Sequence, residues 1–210
     1  MIEILADGPD DAAVAIVLAH GAGAPMDSPF MTAVAGLLAG HGLRVLRFEF
    51  PYMAARRRTG RRNPPPRAET LCAFYREVVS EVAQPGRRIV VGGKSMGGRV
   101  AAMIADDLGR AGVAQGLACL GFPFHPPGKP DRLRTADLEA MTLATIVCQG
   151  ERDPFGSRAE VDAYRLSSSV RLHWLADGDH DLAPRKASGL TKDDNWRDAV
   201  AAVASLAAGL

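Results

Sequence analysis

The chain has 210 residues, of which 47% are hydrophobic and 23% charged, and its formal net charge is +1. That is enough chain for one domain, residues 1–210, with a core that needs no staples. The near-neutral balance excludes a general electrostatic attraction to nucleic acid or to an anionic membrane surface.

Met1 to Asp7 carries neither the basic flank nor the apolar block of a signal peptide, and no apolar run is long enough to span a bilayer. A cytoplasmic protein is expected. Ala13 to Leu18 is a continuous apolar run, the pattern of a strand buried on both faces. It ends in His20-Gly21-Ala22-Gly23-Ala24-Pro25, too rich in glycine to continue it. Phe30 to Leu38 has apolar residues at helical spacing, closed by Gly40, and Arg44 to Phe50 reads as a second strand bounded by Gly42 and Pro51. The Pro- and Arg-rich segment from Pro51 to Arg67 is expected to be irregular. Ala68 to Val82 is an amphipathic helix with Leu71, Tyr75, Val78, Val79 and Val82 on one side.

Ile89 to Val91 begins a further strand, and a small-residue helix follows it to about Leu108. Strands are then predicted at Gly116 to Gly121, Leu143 to Gly150 and Val170 to Leu175. Phe122 to Pro130 is a Pro-rich loop, Asp131 to Ala140 has room for a short helix only, and Arg158 to Leu166 reads as helical. Asn195 to Ala208 is a terminal helix that Asp193 or Asp194 could cap. Cys72, Cys119 and Cys148 are odd in number, far apart and set among apolar residues, so they read as reduced, buried thiols. Strands alternating with helices predict an α/β fold: a mostly parallel, twisted sheet of about six or seven strands with helices on both faces. The segment between Gly121 and Leu143 is too short for a large cap domain.

Between the strand at Ile89 and its helix stands Gly93-Lys94-Ser95-Met96-Gly97, a G-x-S-x-G nucleophile elbow with the strand before it and the helix after it that the motif requires. Gly93-Lys94-Ser95 also resembles the end of a phosphate-binding loop. That loop needs a glycine at position 88, where Arg88 stands, and its loop would fall on the predicted strand. A serine hydroxyl needs a base, and the base an orienting acid. In open α/β sheets such groups gather beyond the carboxyl ends of strands. Asp153 lies past the strand ending at Gly150, and His180 lies past the strand ending at Leu175. The order Ser95, Asp153, His180 is that of the α/β-hydrolase triad. The oxyanion hole is expected from the N–H of Met96 together with Ala22, or else Gly23, in the Gly-rich turn.

Some alternatives stay open. Glu151 could replace Asp153 as the acid, and His125 could serve as base or touch substrate. His180 with Asp177, Asp179 and Asp181 could be a metal cluster, although carboxylates with one histidine in a turn are more often solvated, and neither a metal nor a cofactor is expected. The basic run from Arg56 and Arg57 to Arg67 reads either as a solvated loop or as an anion site contacting substrate. A nucleic-acid role is disfavoured because no aromatic residue is interleaved in it.

The chain resembles the α/β-hydrolase superfamily near its dienelactone-hydrolase-like members. It is similar in particular to the branch that holds a testis-expressed protein and a regulatory subunit of a nuclear histone acetyltransferase complex. The resemblance is carried by His20 to Met31, Phe48 to Met53, Gly92 to Arg99, Leu120 to Pro130, Gln149 to Gly156 and Gly178 to His180. It implies an α/β-hydrolase fold with Ser95, Asp153 and His180 in the triad positions. It does not supply a substrate. Together with the residues themselves, it gives as the expected function a carboxylesterase- or thioesterase-like serine hydrolase acting on a small-molecule acyl substrate, an anionic one if the basic run is an anion site. The rival expectation is a non-catalytic module of the same fold that binds a protein partner or an anionic ligand.

Overall fold

A computed structural model of the chain describes residues 2–61 and 64–210. Seven strands, β1 (Ile4–Asp7), β2 (Val14–Ala19), β3 (Arg44–Phe48), β4 (Arg88–Lys94), β5 (Gly116–Leu120), β6 (Thr145–Gly150) and β7 (Val170–Leu175), form one sheet in the order β1-β3-β2-β4-β5-β6-β7. Every neighbouring pair is parallel except β1 and β3. The long helices are α1 (Pro29–Gly40), α2 (Pro51–Thr59), α3 (Cys72–Val82) and α4 (Met96–Arg110). Two single turns follow, α5 (Ala136–Glu139) and α6 (Arg158–Val161), and the chain closes with α7 (Lys192–Ala208).

The continuous apolar runs are explained by burial on two sides. In β2, Ala15, Val17 and Ala19 join a core with Tyr75, Val78 and Val79 of α3 and Val100 and Ile104 of α4. Val14, Ile16 and Leu18, pointing the other way, join Val34 and Leu38 of α1 and Trp196, Val200 and Val203 of α7. Alternating side chains of one strand thus feed two separate cores, which is why no polar position interrupts it. Among the described residues the connections place no large cap domain over the carboxyl ends of the strands. Among the described residues no helix is long and apolar enough to cross a membrane. Cys72, Cys119 and Cys148 are all free, with Cys119 and Cys148 buried.

The segment from Pro51 to Arg67, expected to be irregular, contains α2 over its first nine residues. Pro51 occupies the first helical turn, where its missing N–H costs nothing, and Gly60 ends the helix in the left-handed conformation at φ 70°. Arg62 and Asn63, within the same segment, lie outside the described residues. The predicted helix from Arg158 to Leu166 is a single turn, and the terminal helix is capped by Thr191, with Asp194 as the acidic partner of its capping box. Strand β1, on the sheet edge, is an element that no apolar periodicity announced.

Candidate active site

Ser95 sits between the end of β4 and the start of α4 at φ 52° and ψ −117°, a strained backbone for a residue with a side chain. Room for that turn comes from its glycines. A Cβ on Gly93 would lie 2.5 Å from the Ala19 carbonyl oxygen, and one on Gly97 would lie 2.4 Å from the same atom. With neither present, α4 packs against the end of β2 and the serine hydroxyl stands at the strand ends.

Two neighbours complete a line of hydrogen bonds. Ser95 Oγ is 2.8 Å from His180 Nε2, and His180 Nδ1 is 2.8 Å from Asp153 Oδ2. Asp153 is fully buried, and each of its oxygens has a further donor: Gln149 Nε2 at 2.9 Å and the Phe155 amide at 2.8 Å. A buried carboxylate held by donors on both oxygens is fixed in place and stays an acceptor. The network therefore puts the imidazole proton on Nδ1 and leaves the Nε2 lone pair to the serine hydroxyl. The ring of Phe155 lies against the imidazole at a centroid distance of 4.2 Å.

The turn after β2 is braced from behind. The Gly21 carbonyl lies 2.6 Å from His20 Nδ1, the Ala22 carbonyl accepts from Tyr52 Oη at 2.9 Å, and the Gly23 carbonyl accepts from Arg56 Nη1 at 3.2 Å. His20 Nε2 accepts the Phe50 amide at 3.1 Å, so its proton belongs on Nδ1, and burial pulls its pKa below the ordinary histidine value. Burial pushes the Tyr52 phenol up to about 12, which keeps it a donor. Three successive carbonyls are thus turned toward His20 and α2. The amides of Ala22, Gly23 and Met96 have no acceptor among the described residues. Ala22 and Met96 line one cavity with Ser95, and Ala22 and Gly23 line another.

The serine stands between these two cavities. One, of about 640 Å³, is walled by Arg67, Arg99, Arg134, Glu69, Pro123 and Phe155. The other, of about 270 Å³, is lined by Phe30, Met31, Lys94 and the Gly21–Ala24 turn. Arg99 pairs with Glu69 at 2.8 Å, whereas the Arg134 guanidinium has no partner among the described residues. Burial, with the positive charge of Arg99 nearby, draws Arg134 below the ordinary arginine value, the mark of an under-solvated cation.

Several candidates fall elsewhere. Arg57 is spent on two carboxylates, with Nη2 at 2.6 Å from Glu49 and 2.8 Å from Asp27, and Arg56 is turned to the Gly23 carbonyl. Neither lines the two cavities beside Ser95, whereas Arg67, at the far end of the same run, lines the larger one. His125 is buried, with Nδ1 2.9 Å from the Pro126 carbonyl and Nε2 3.6 Å from Glu160, away from both cavities. Glu151 is held by Arg158 and by the Asp177 amide, not by His180. Asp177 is bound by Arg152 and Arg185, and no cluster able to hold a metal ion occurs among the described residues. Gln149, Arg99 and Arg134 escaped the sequence reading. A glutamine inside the apolar run of β6 was the one available signal, since a polar side chain buried in a strand demands a partner.

A family model described as an alpha/beta hydrolase domain matches residues 12–208. Among solved structures, the fold is similar to an alpha-beta serine hydrolase homologue from Coxiella burnetii, with TM-score 0.66 and 21% identity over 95% of this chain and 89% of that one. It is likewise similar to a dienelactone hydrolase from Anabaena variabilis, with TM-score 0.66 and 22% identity over 98% and 88% of the two chains. A lidless a/b serine hydrolase from Xanthomonas campestris aligns with TM-score 0.63 and 20% identity over 85% and 80%. The chain belongs to the α/β-hydrolase family.

Proposed function

We propose that this α/β-hydrolase domain is a serine hydrolase that cleaves an ester or thioester bond through an acyl-enzyme. The observation that carries the reading is the unbroken line Asp153–His180–Ser95, with both links at 2.8 Å. A hydroxyl in line with a base and an orienting acid is the arrangement that acyl transfer needs.

In this reading Ser95 Oγ attacks the acyl carbon as its proton passes to His180 Nε2, and Asp153 holds the ring and faces the imidazolium that forms. Negative charge moves to the carbonyl oxygen, where the Met96 amide and that of Ala22 or Gly23 donate to it. Each such donor is worth about 10²–10³-fold in rate. Collapse breaks the bond to the leaving oxygen or sulfur, which takes the proton back from His180. Water then attacks the acyl-enzyme with His180 again as base, releasing the acid and restoring the serine. The side of the site that holds Arg67, Arg99 and Arg134 favours a substrate carrying a carboxylate or similar anion. The smaller, mainly apolar cavity takes the other part.

The test is intact-mass analysis after incubation with a fluorophosphonate. One adduct is expected on the wild type and none on Ser95→Ala or His180→Ala. A folded wild type that gains no mass would sink the hydrolase reading and move the search to binding partners.

A further inference from the structure

Lys94 precedes the nucleophile directly and had no part in the reading above. Earlier in β4, Val90 and Val91 are the apolar residues a central strand calls for, yet the charged residue that ends the strand, Lys94, is itself only 6% exposed. Placing an ammonium there costs solvation, and burial accordingly draws its pKa down, while the carboxylates of Asp181, Asp153 and Asp179 pull it back up. Two of its contacts go to the loop that carries His180. Nζ donates to the His180 main-chain carbonyl at 2.7 Å, lies 3.2 Å from the Asp181 carboxylate, and sits 5.4 Å from the centre of the Phe30 ring.

The loop it reaches needs anchoring. Asp177 and Leu182, on either side of His180, both have positive φ, at 51° and 62°. From α7, Trp196 Nε1 donates to the Asp181 carbonyl and Asn195 Nδ2 to those of Leu182 and Ala176. Those bonds fix the loop to one face of the sheet. The Lys94 bond is the tie from the strand that carries the nucleophile to the backbone that carries its hydrogen-bonded imidazole. Gly121 keeps the space for it: at φ 64°, a Cβ there would lie 2.7 Å from the His180 carbonyl oxygen and 3.2 Å from Lys94 Nζ.

We propose that Lys94 is a positioning residue: its buried ammonium, hydrogen-bonded to the His180 carbonyl, locks that backbone to the nucleophile strand and places a positive charge next to the base. This rests on the assignment of Ser95 and His180 as nucleophile and base. The charged groups facing His180 are Asp153 beyond β6, Asp179 and Asp181 in its own loop, and Lys94 from β4. Glu151, Arg152, Asp177 and Arg185 are paired among themselves or with Arg158 on the rear of the loop, and α7 and α1 present uncharged Asn195, Trp196 and Phe30. During attack the imidazolium and the substrate oxyanion form together, so the ammonium then faces a neutral pair.

The experiment follows the His180 ring by NMR titration in the wild type, Lys94→Met and Asp181→Asn, with His180→Ala to identify the signal. The rate of fluorophosphonate labelling is measured across the same pH range. Lys94→Met should label about tenfold more slowly at its plateau, and both the ring's midpoint and the acidic limb should rise by about half a pH unit or more, since a nearby like charge is lost. Asp181→Asn, altered at a side chain that is 69% exposed, removes one of the carboxylates that offset the ammonium and should move both the other way. Slower labelling with an unmoved midpoint would reduce Lys94 to a structural lysine and overturn the proposal. If Lys94→Met does not fold, an unmoved midpoint in Asp181→Asn overturns it equally. A wild type that never labels, with both midpoints shifted as expected, would sink the hydrolase reading and leave the coupling of Lys94 to His180 standing.

Discussion

At the scale of single residues, the distinction between Asp153 and Glu151 decides how the site works. Both lie just past β6, and only the fold separates them: Asp153 is turned inward to His180 and Gln149, and Glu151 outward to Arg158. Asp153→Asn would present an amide N–H or a weaker acceptor to Nδ1, favouring the tautomer that cannot take the serine proton. Turnover of a simple ester should fall by about 10³–10⁴-fold. Glu151→Gln, measured alongside, should cost little in rate. Comparable losses in the two variants would mean the acid is misassigned. These residues were legible because acyl transfer demands few side-chain types and the sheet puts them at predictable places, after β4, β6 and β7. Gln149 and Lys94 were not, since a motif records which residue is present and not where its side chain turns. Lys94 reads as the variable position of an elbow until its ammonium is seen on the His180 carbonyl.

At the scale of elements, α2 shows what composition hides. Pro51 and the arginines that follow suggest a breaker and a charged loop, but proline is disfavoured only in a helix interior. The arginines are held by partners distant in sequence: Arg57 clamps Asp27 and the buried Glu49, seating α2 behind the Gly-rich turn. Nothing local in the sequence announces Asp27 as a partner thirty residues away. The consequence is functional. With Gly21, Ala22 and Gly23 tied by their carbonyls to His20, Tyr52 and Arg56, the amides on that turn have a fixed direction. Tyr52→Phe removes only the middle bond. If the turn supplies an oxyanion donor, kcat for a neutral ester should drop about tenfold to a hundredfold with KM nearly unchanged, because the lost alignment matters in the transition state alone. A rise in KM at constant kcat would instead assign the turn to substrate binding.

At the scale of the whole molecule, the mostly parallel sheet and its two-sided core were legible from apolar runs alternating with helices, whereas the strand order, the edge strand β1 and the shape of the site were not. Cavity walls are assembled from segments far apart in sequence. Arg67, Arg99 and Arg134 come from the end of the basic run, from α4 and from the loop before α5, and meet only because β4 and β5 are neighbours with their carboxyl ends on one side. The basic run left open a solvated loop or an anion site; of its arginines Arg67 lines the cavity beside Ser95, together with Arg99 and Arg134, and these three carry the proposed anion preference. Among them Arg99 is already paired with Glu69, so Arg134, half-buried and without a partner among the described residues, carries most of the expected effect. The comparison to make is between an aryl ester of a mono-acid and the hemi-ester of a dicarboxylic acid of similar length, the latter bringing a carboxylate to the arginine wall. Arg134→Gln should raise KM for the charged ester about tenfold while leaving the neutral ester within twofold, a charge-assisted hydrogen bond being worth about 1.5–3 kcal/mol before solvent screening at this partly open wall. Added salt should weaken the charged substrate selectively in the wild type and much less in the variant. Equal losses on both esters would mean that Arg134 shapes the cavity, and that the anion preference belongs to Arg67, the remaining arginine for which no carboxylate partner is found among the described residues.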